Sequence, residues 1–405
     1  MAGIGVGAAS NLTPIYISEI SPPAIRGRLV GLYELGWQIG GLVGFWINYG
    51  VSTTMGPSHI QWLIPFIIQL PPAVLLFVGC FLMKESPRWL FSRGRREQAV
   101  KNLEWFRQLN ADDIYMQEEI SAIDNGIEHQ ASTVGLGFWA PFRTVAASKA
   151  IMWRFFLGGA LFFWQNASGI NAINYYSPTV FKSIGVTGTN TGLLTTGIFG
   201  VIKTTLTFVW LLYLIDHLGR RNLLMIGAIG GSLCLWYVGG YIAIAEPEQN
   251  PRKGGGLGSG GISAMFFFYL WTAFYTPSWN GTPWVYNSEM HNQHVRVLAQ
   301  AFAACNNWFW NFIVARFTPQ AFTEMRYGVY FLFASLMIFS VFFVYFLMPE
   351  TKGIPLESMD RLFEIKPPRK AHGILIEELR AQEEEFRSAT QLAAEKEDVS
   401  YHEKV

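Results

Sequence analysis

Apolar residues run in nine long tracts along this chain, near 1–18, 29–50, 61–83, 151–176, 191–215, 222–245, 262–288, 297–320 and 328–348. Each approaches or exceeds the ~20 residues that an α-helix needs to cross the hydrocarbon core of a bilayer. Polar and charged residues collect between the tracts, so the pattern predicts membrane-spanning helices joined by loops. The stretch 84–150 reads differently. Glu97, Lys101, Glu104 and Arg107 recur there at spacings of three and four, which predicts surface helices at 95–109 and 113–125. Residues 246–261, rich in Gly, Pro and charge, predict an irregular loop. In the tail, Ile374, Ile376, Leu379 and Phe386 among many Glu predict a solvated amphipathic helix.

Composition sharpens the membrane reading. Hydrophobic residues make up 51% of the chain and charged ones 15%, against the ~25% charged of an ordinary soluble domain. A soluble multidomain enzyme would show shorter, periodic apolar runs. The net charge of +1 gives no reason to expect a nucleic-acid partner. Cys80, Cys234 and Cys305 sit in separate apolar tracts and are expected as small core residues. Neither they nor the scattered His have metal-ligand spacing. The sequons at Asn11, Asn166 and Asn280 fall inside expected spans, out of reach of glycosylation.

Lys and Arg are sorted by loop, which sets orientation. Segment 84–150 carries Lys84, Arg88, Arg93, Arg95, Arg96, Lys101, Arg107, Arg143 and Lys149, and the short connections hold Arg220, Arg221 and Arg296. Residues 51–60 have no Lys or Arg, and 177–190 have only Lys182. The basic loops are expected in the cytoplasm, with Met1 outside and the tail inside.

An internal repeat organises the whole. Tyr16-Ile-Ser18-Glu19 with Arg26 returns as Tyr286-Asn-Ser288-Glu289 with Arg296, and Leu82-Met-Lys84-Glu85-Ser86-Pro87 returns as Leu347-Met-Pro349-Glu350-Thr351. Glu19 to Glu85 is 66 residues and Glu289 to Glu350 is 61. A parallel repeat in a membrane chain points to a transporter of two like bundles. Three spans fit between about residue 151 and Glu289, whereas only 18 residues precede Glu19. The expectation is therefore an all-α membrane protein with nine of twelve spans, the first three missing. Its segments are 1–83 (a shortened first bundle), 84–150 (a helical connector), 151–348 (a six-helix second bundle) and 349–405 (a tail).

The most polar stretch inside any span is Trp164 to Tyr176, where Gln165, Asn166, Asn171 and Asn174 fall all round a helix at ~100° per residue. A straight helix with one face to lipid cannot satisfy four amides. A break near Ser168-Gly169 that turns them into a wet cavity can. Amides both donate and accept, which suits a polyhydroxylated ligand; the plainer alternative is helix–helix hydrogen bonding. Thr276 to Trp284 combines Pro277, Gly281 and Pro283 with two indoles, one of them Trp284, and an indole stacks on a ring while its N–H reaches a hydroxyl. Asn307 and Asn311, four apart, share a face beside Trp308 and Trp310. Two charges lie deep in apolar tracts. Glu34 is ~12 Å and Lys203 ~20 Å into its span, each costing ~2.5–3.5 kcal/mol unless paired or wet. They read either as a mutual pair or as ligand-facing groups, Lys203 suiting a ligand carboxylate. Glu19, Arg26, Glu85, Arg88, Asp216, Arg220, Arg221, Glu289, Arg296 and Glu350 cluster at expected cytoplasmic helix ends. They read as an ionic latch between the bundles or as solvated helix anchors. No nucleophile–base pair, phosphate loop or metal cluster is present in the sequence, so neither an enzyme nor a cofactor is expected.

These motifs resemble the sugar-porter branch of the major facilitator superfamily over residues 1–365, through Pro14-Ile-Tyr16, Glu85-Ser-Pro-Arg-Trp89, Gln165 to Tyr176, Asp216-His-Leu-Gly-Arg-Arg221, Asn307-Trp308 and Pro349-Glu-Thr-Lys-Gly353. Glu34 to Phe45, Leu161 to Gln165, Tyr175 to Pro178 and Pro355 to Glu364 look like the fungal quinate permeases within it. The resemblance implies a twelve-helix, proton-driven importer at the plasma membrane, working by alternating access on quinate, with a hexose or pentose as the rival substrate. It carries ligand binding onto Gln165, Asn166, Asn171, Trp284, Asn307 and Asn311. Glu34 stands where hexose carriers place a Gln and Thr204 where they often have Asn, which argues against a plain hexose site. The family's coupling acid in the first helix and the arginine opening the fourth have no counterpart in these residues, so an inactive fragment is a further alternative.

Overall fold

The computed structural model describes residues 2–22, 26–133, 139–186, 189–250, 257–291, 293–354 and 358–381. Among them every regular element is helical, as an apolar environment demands of a backbone that cannot leave its polar groups unpaired. The first tracts form α1 (Ala2–Ile20), α2 (Arg26–Thr54) and a rod split into α3 (His59–Ile67) and α4 (Leu70–Leu82). The connector follows as α5 (Pro87–Ser92), α6 (Arg96–Arg107), α7 (Ile114–Thr133) and α8 (Ala140–Ala147). Then come α9 (Lys149–Ala167), α10 (Ile170–Ile184), α11 (Thr189–Val209), α12 (Ile215–Leu218), α13 (Arg220–Ala245), α14 (Ser259–Tyr275), α15 (Thr282–Glu289), α16 (Gln293–Met325), α17 (Gly328–Leu347) and α18 (Met359–Glu364). Trp210–Leu214 and Thr276–Asn280 are π-helical turns, which join α11 to α12 and α14 to α15.

All nine tracts lie in helices. On length and apolarity alone, four qualify as spans: 59–82, 191–214, 220–245 and 328–347. A fifth candidate is α8 with the α9–α10 rod, bent by 100°. The helices α1, α2 and α16 fall short because they carry Gly, amides and charge, and α14 because its 17 residues end at the π-helical turn. Those same helices face the cavity described below.

The hydrophobic core sits among α10, α13, α14 and α17, around the buried rings of Phe181, Phe268, Trp271, Tyr275 and Trp279. Helix α2 lies against α11 through small residues. A Cβ on Gly200 would come 3.2 Å from Leu42, and one on Gly197 3.3 Å from Trp46. By contrast α3 and α4 bury no side chain. The connector fastens to the base of α1: Arg107 binds Glu119 at 2.6 Å and donates to the Ile20 carbonyl at 2.8 Å.

Two expectations change. The tail is docked rather than solvated. Ala371 and Leu375, in a helical stretch at 368–381, are buried against Met359 and Leu362 of α18, and Asp360 pairs with the buried Arg154 of α9. Phe386 lies outside the described residues. Among the cysteines only Cys234 is buried, while Cys80 and Cys305 are exposed, because apolar tracts here also clothe outward helix faces.

Candidate functional site

The break foreseen in the polar tract is where two small residues allow it. Helix α9 ends at Ala167, Ser168 caps it, and Gly169 takes φ +85° before α10 begins. A side chain at Gly169 would be strained by that φ, and its Cβ would meet the Phe333 ring at 2.7 Å. The second break, the π-helical turn Thr276–Asn280, frees backbone carbonyls from the helical ladder. Gln165 uses them: its Nε2 donates to the carbonyls of Trp279 and Asn280, both at 2.8 Å.

Around these breaks lies a cavity of about 470 Å³, walled by α1 and α2 on one side and by α9–α11 and α14–α16 on the other. Its wall contains Gln165, Asn171, Trp284, Asn307, Asn311, Glu34 and Lys203, so residues far apart in sequence meet at one place. Asn166 is set just behind. Its Nδ2 donates to Asn307 Oδ1 at 3.1 Å, and its own Oδ1 accepts from Asn171. The amides thus form a connected network that fixes which atoms remain to face the cavity. Phe162 supports Trp284 edge-on at 4.6 Å between ring centroids, and Tyr175 donates to Asn311 at 3.2 Å.

The two deep charges do not neutralise one another directly. Glu34 Oε1 accepts from Gln38 Nε2 at 2.6 Å and from Asn280 Nδ2 at 2.7 Å. Lys203 is buried and feels the Glu34 charge, yet among the described residues it has no ion-pair or hydrogen-bond partner for its ammonium. Sequence reasoning missed Ser10, Tyr33, Trp37 and Gln38 in this wall. The spacing of four from Glu34 to Gln38 on α2 was the available signal for one of them.

The charged landmarks gather at one end of the molecule. Arg220 Nη2 meets Glu289 Oε1 at 2.7 Å, Thr351 donates to Glu289 at 2.7 Å, and Glu350 accepts from the backbone amides of Arg220 and Arg221, both at 2.9 Å. This places a carboxylate on the N-terminus of α13, where free N–H groups and the helix dipole favour it. Gly219, at φ +82°, leaves it room, since a Cβ there would lie 2.6 Å from Glu350 Oε2. Arg221 donates to the Tyr345 carbonyl and Arg296 to that of His291. Arg88 faces Glu19 and Glu119; its burial lowers its pKa, and those two carboxylates oppose the shift. Asn102 donates to the Glu85 carbonyl. The side chains of Arg26 and Asp216 lie outside the described residues. Among the described residues these bonds stay within one half of the molecule or its connector. There they brace helix ends.

The sequence profile of the family "Sugar (and other) transporter" matches residues 1–363. The chain is 68% identical over 388 residues to a quinate permease of Emericella nidulans, covering 96% of this chain and 73% of that protein. It is also 68% identical over 387 residues to a probable quinate permease of Aspergillus flavus, covering 96% and 72%. Among solved structures it matches the proton:xylose symporter XylE bound to 6-bromo-6-deoxy-D-glucose, with a TM-score of 0.71 and 29% identity over 89% of this chain and 72% of that one. A partially occluded inward-open XylE from E. coli matches with a TM-score of 0.67 at 28% identity, over 87% and 70%. These relatives are permeases, not enzymes. The chain belongs to the sugar (and other) transporter family and is a multi-pass integral membrane transporter of the major facilitator fold.

Proposed function

We propose that this transporter imports quinate, a polyhydroxylated cyclic carboxylic acid, by alternating access across the plasma membrane, coupled to protons. The observation that carries the reading is the buried ammonium of Lys203, which among the described residues makes no ion pair although the Glu34 carboxylate shares its cavity of amides and aromatic rings. A neutral sugar gives no use for such a charge, whereas a ligand carboxylate offsets its burial. Gln165, Asn171, Asn307 and Asn311 supply donors and acceptors to ring hydroxyls, Asn166 orients two of them, and Trp284 offers a face to the ring. The names of the fungal relatives agree with the substrate. The proton coupling rests on the description of XylE as a proton symporter.

In this reading 1–83 belongs to one bundle, 84–150 is a cytoplasmic connector, 151–348 is the other bundle, and 349–405 is a cytoplasmic tail. The Arg220–Glu289–Glu350 cluster then braces the cytoplasmic gate. The test is uptake or binding of quinate against glucose by the native chain and by Lys203→Met. Preference for quinate, with a loss of roughly ten-fold or more in affinity on removing the ammonium, supports the reading. Unchanged quinate affinity in Lys203→Met would overturn it, and a preference for glucose would favour a hexose carrier.

A further inference from the structure

Glu34 poses a problem for any site that takes an acid, because its carboxylate shares the cavity with Lys203, the cation that would attract the ligand. Left free, a carboxylate this near an ammonium closes on it, since their attraction rises as the distance falls and the cavity screens weakly. Here it does not close. Two amide donors converge on the same oxygen, Gln38 Nε2 from one turn along α2 and Asn280 Nδ2 from the π-helical turn across the cavity. Asn280 is itself fixed from behind, because its carbonyl accepts from Gln165 at 2.8 Å.

We infer that Asn280, with Gln38, is a positioning residue that holds Glu34 off Lys203 and so reserves the ammonium for the ligand's carboxylate. The other Glu34 oxygen, Oε2, accepts nothing among the described residues. The restraint bridges the two halves, since Glu34 is on α2 and Asn280 lies between α14 and α15. This inference rests on the quinate reading and refines it.

The test is quinate binding to the full chain in detergent, beside quinamide, in which a neutral amide replaces the carboxylate. Asn280→Leu is expected to weaken quinate about ten-fold and to leave quinamide unchanged. Adding Glu34→Gln to Asn280→Leu is expected to restore most of the quinate affinity, because no carboxylate is left to occupy Lys203. Gln38→Leu, which removes the second donor, should act in the same direction and serves if Asn280→Leu does not fold. Equal weakening of both ligands, or no recovery in the double variant, would sink the inference. Lys203→Met separates the two levels. If it spares quinate, the acid-binding reading fails; if it abolishes quinate binding while the double variant shows no recovery, only the role of Asn280 fails.

Discussion

Tyr16 and Tyr286 stand at matching places in the two halves and make the same bond. Each hydroxyl donates to the carbonyl one residue before an acidic landmark, Lys84 before Glu85 at 2.7 Å and Pro349 before Glu350 at 3.0 Å. Around that shared bond the halves part company. In the second, Glu289 and Glu350 converge on the α12–α13 corner, and Tyr286 is fully buried. In the first, Tyr16 is half-buried, and among the described residues no ion pair closes on Glu19 or Glu85. The repeated motif therefore specifies a helix-end hydrogen bond by itself. The ionic cluster also needs a third element with a glycine corner to present backbone amides.

The largest test of this contrast is Glu289→Gln. It takes a charged acceptor from Arg220, whose side chain is 12% exposed, and should cost about 3 kcal/mol, the low end for a buried pair because the carboxylate itself is 20% exposed. Thermal melts in detergent measure it. Glu19→Gln should shift the melt by far less, and an equal shift would erase the distinction between the halves.

His291 sharpens it next, because its counterpart in the repeat is Ser21, which does not titrate. Burial, with Arg154 and Arg296 nearby and only Asp360 opposing, pushes the His291 imidazole down to about 3. Its ordinary value is about 6.5, so below that pH the unfolded chain takes up a proton that the folded chain refuses. Stability should thus be complete above about pH 6.5 and fall by up to about 1.4 kcal/mol per pH unit as the pH drops toward 3. His291→Ser should flatten that slope. A slope unchanged by the substitution would show that other groups set it.

Smaller effects come from the shared bond itself. Tyr286→Phe leaves a buried carbonyl unsatisfied and should cost about 1–3 kcal/mol, whereas Tyr16→Phe, with water nearer, should cost about 0.5–1.5 kcal/mol. Equal costs would mean that the two sites are packed alike.

Much of this was legible in the chain. Helix-length apolar tracts announce spans, and four amides with a Ser-Gly step announce a break, because lipid cannot satisfy them. The features that stayed hidden depend on atoms distant in sequence. Arg154 at the start of the second half docks the tail through Asp360, and no local pattern marks that pair. Cys80 and Cys305 look like core residues until the exposed side of their helices is known. Pro277 and Gly281 signal a loosened helix at 276–284, but not that its carbonyls turn toward Gln165.

That last arrangement has a consequence for how such a site is mapped. The two oxygens that hold Gln165 belong to the main chain at Trp279 and Asn280, so scanning mutagenesis leaves them in place whatever residue is substituted. Half of that anchor is written in the path of the chain and not in its alphabet. Replacing the relevant peptide links with esters, which accept more weakly, is the kind of edit that would make it visible.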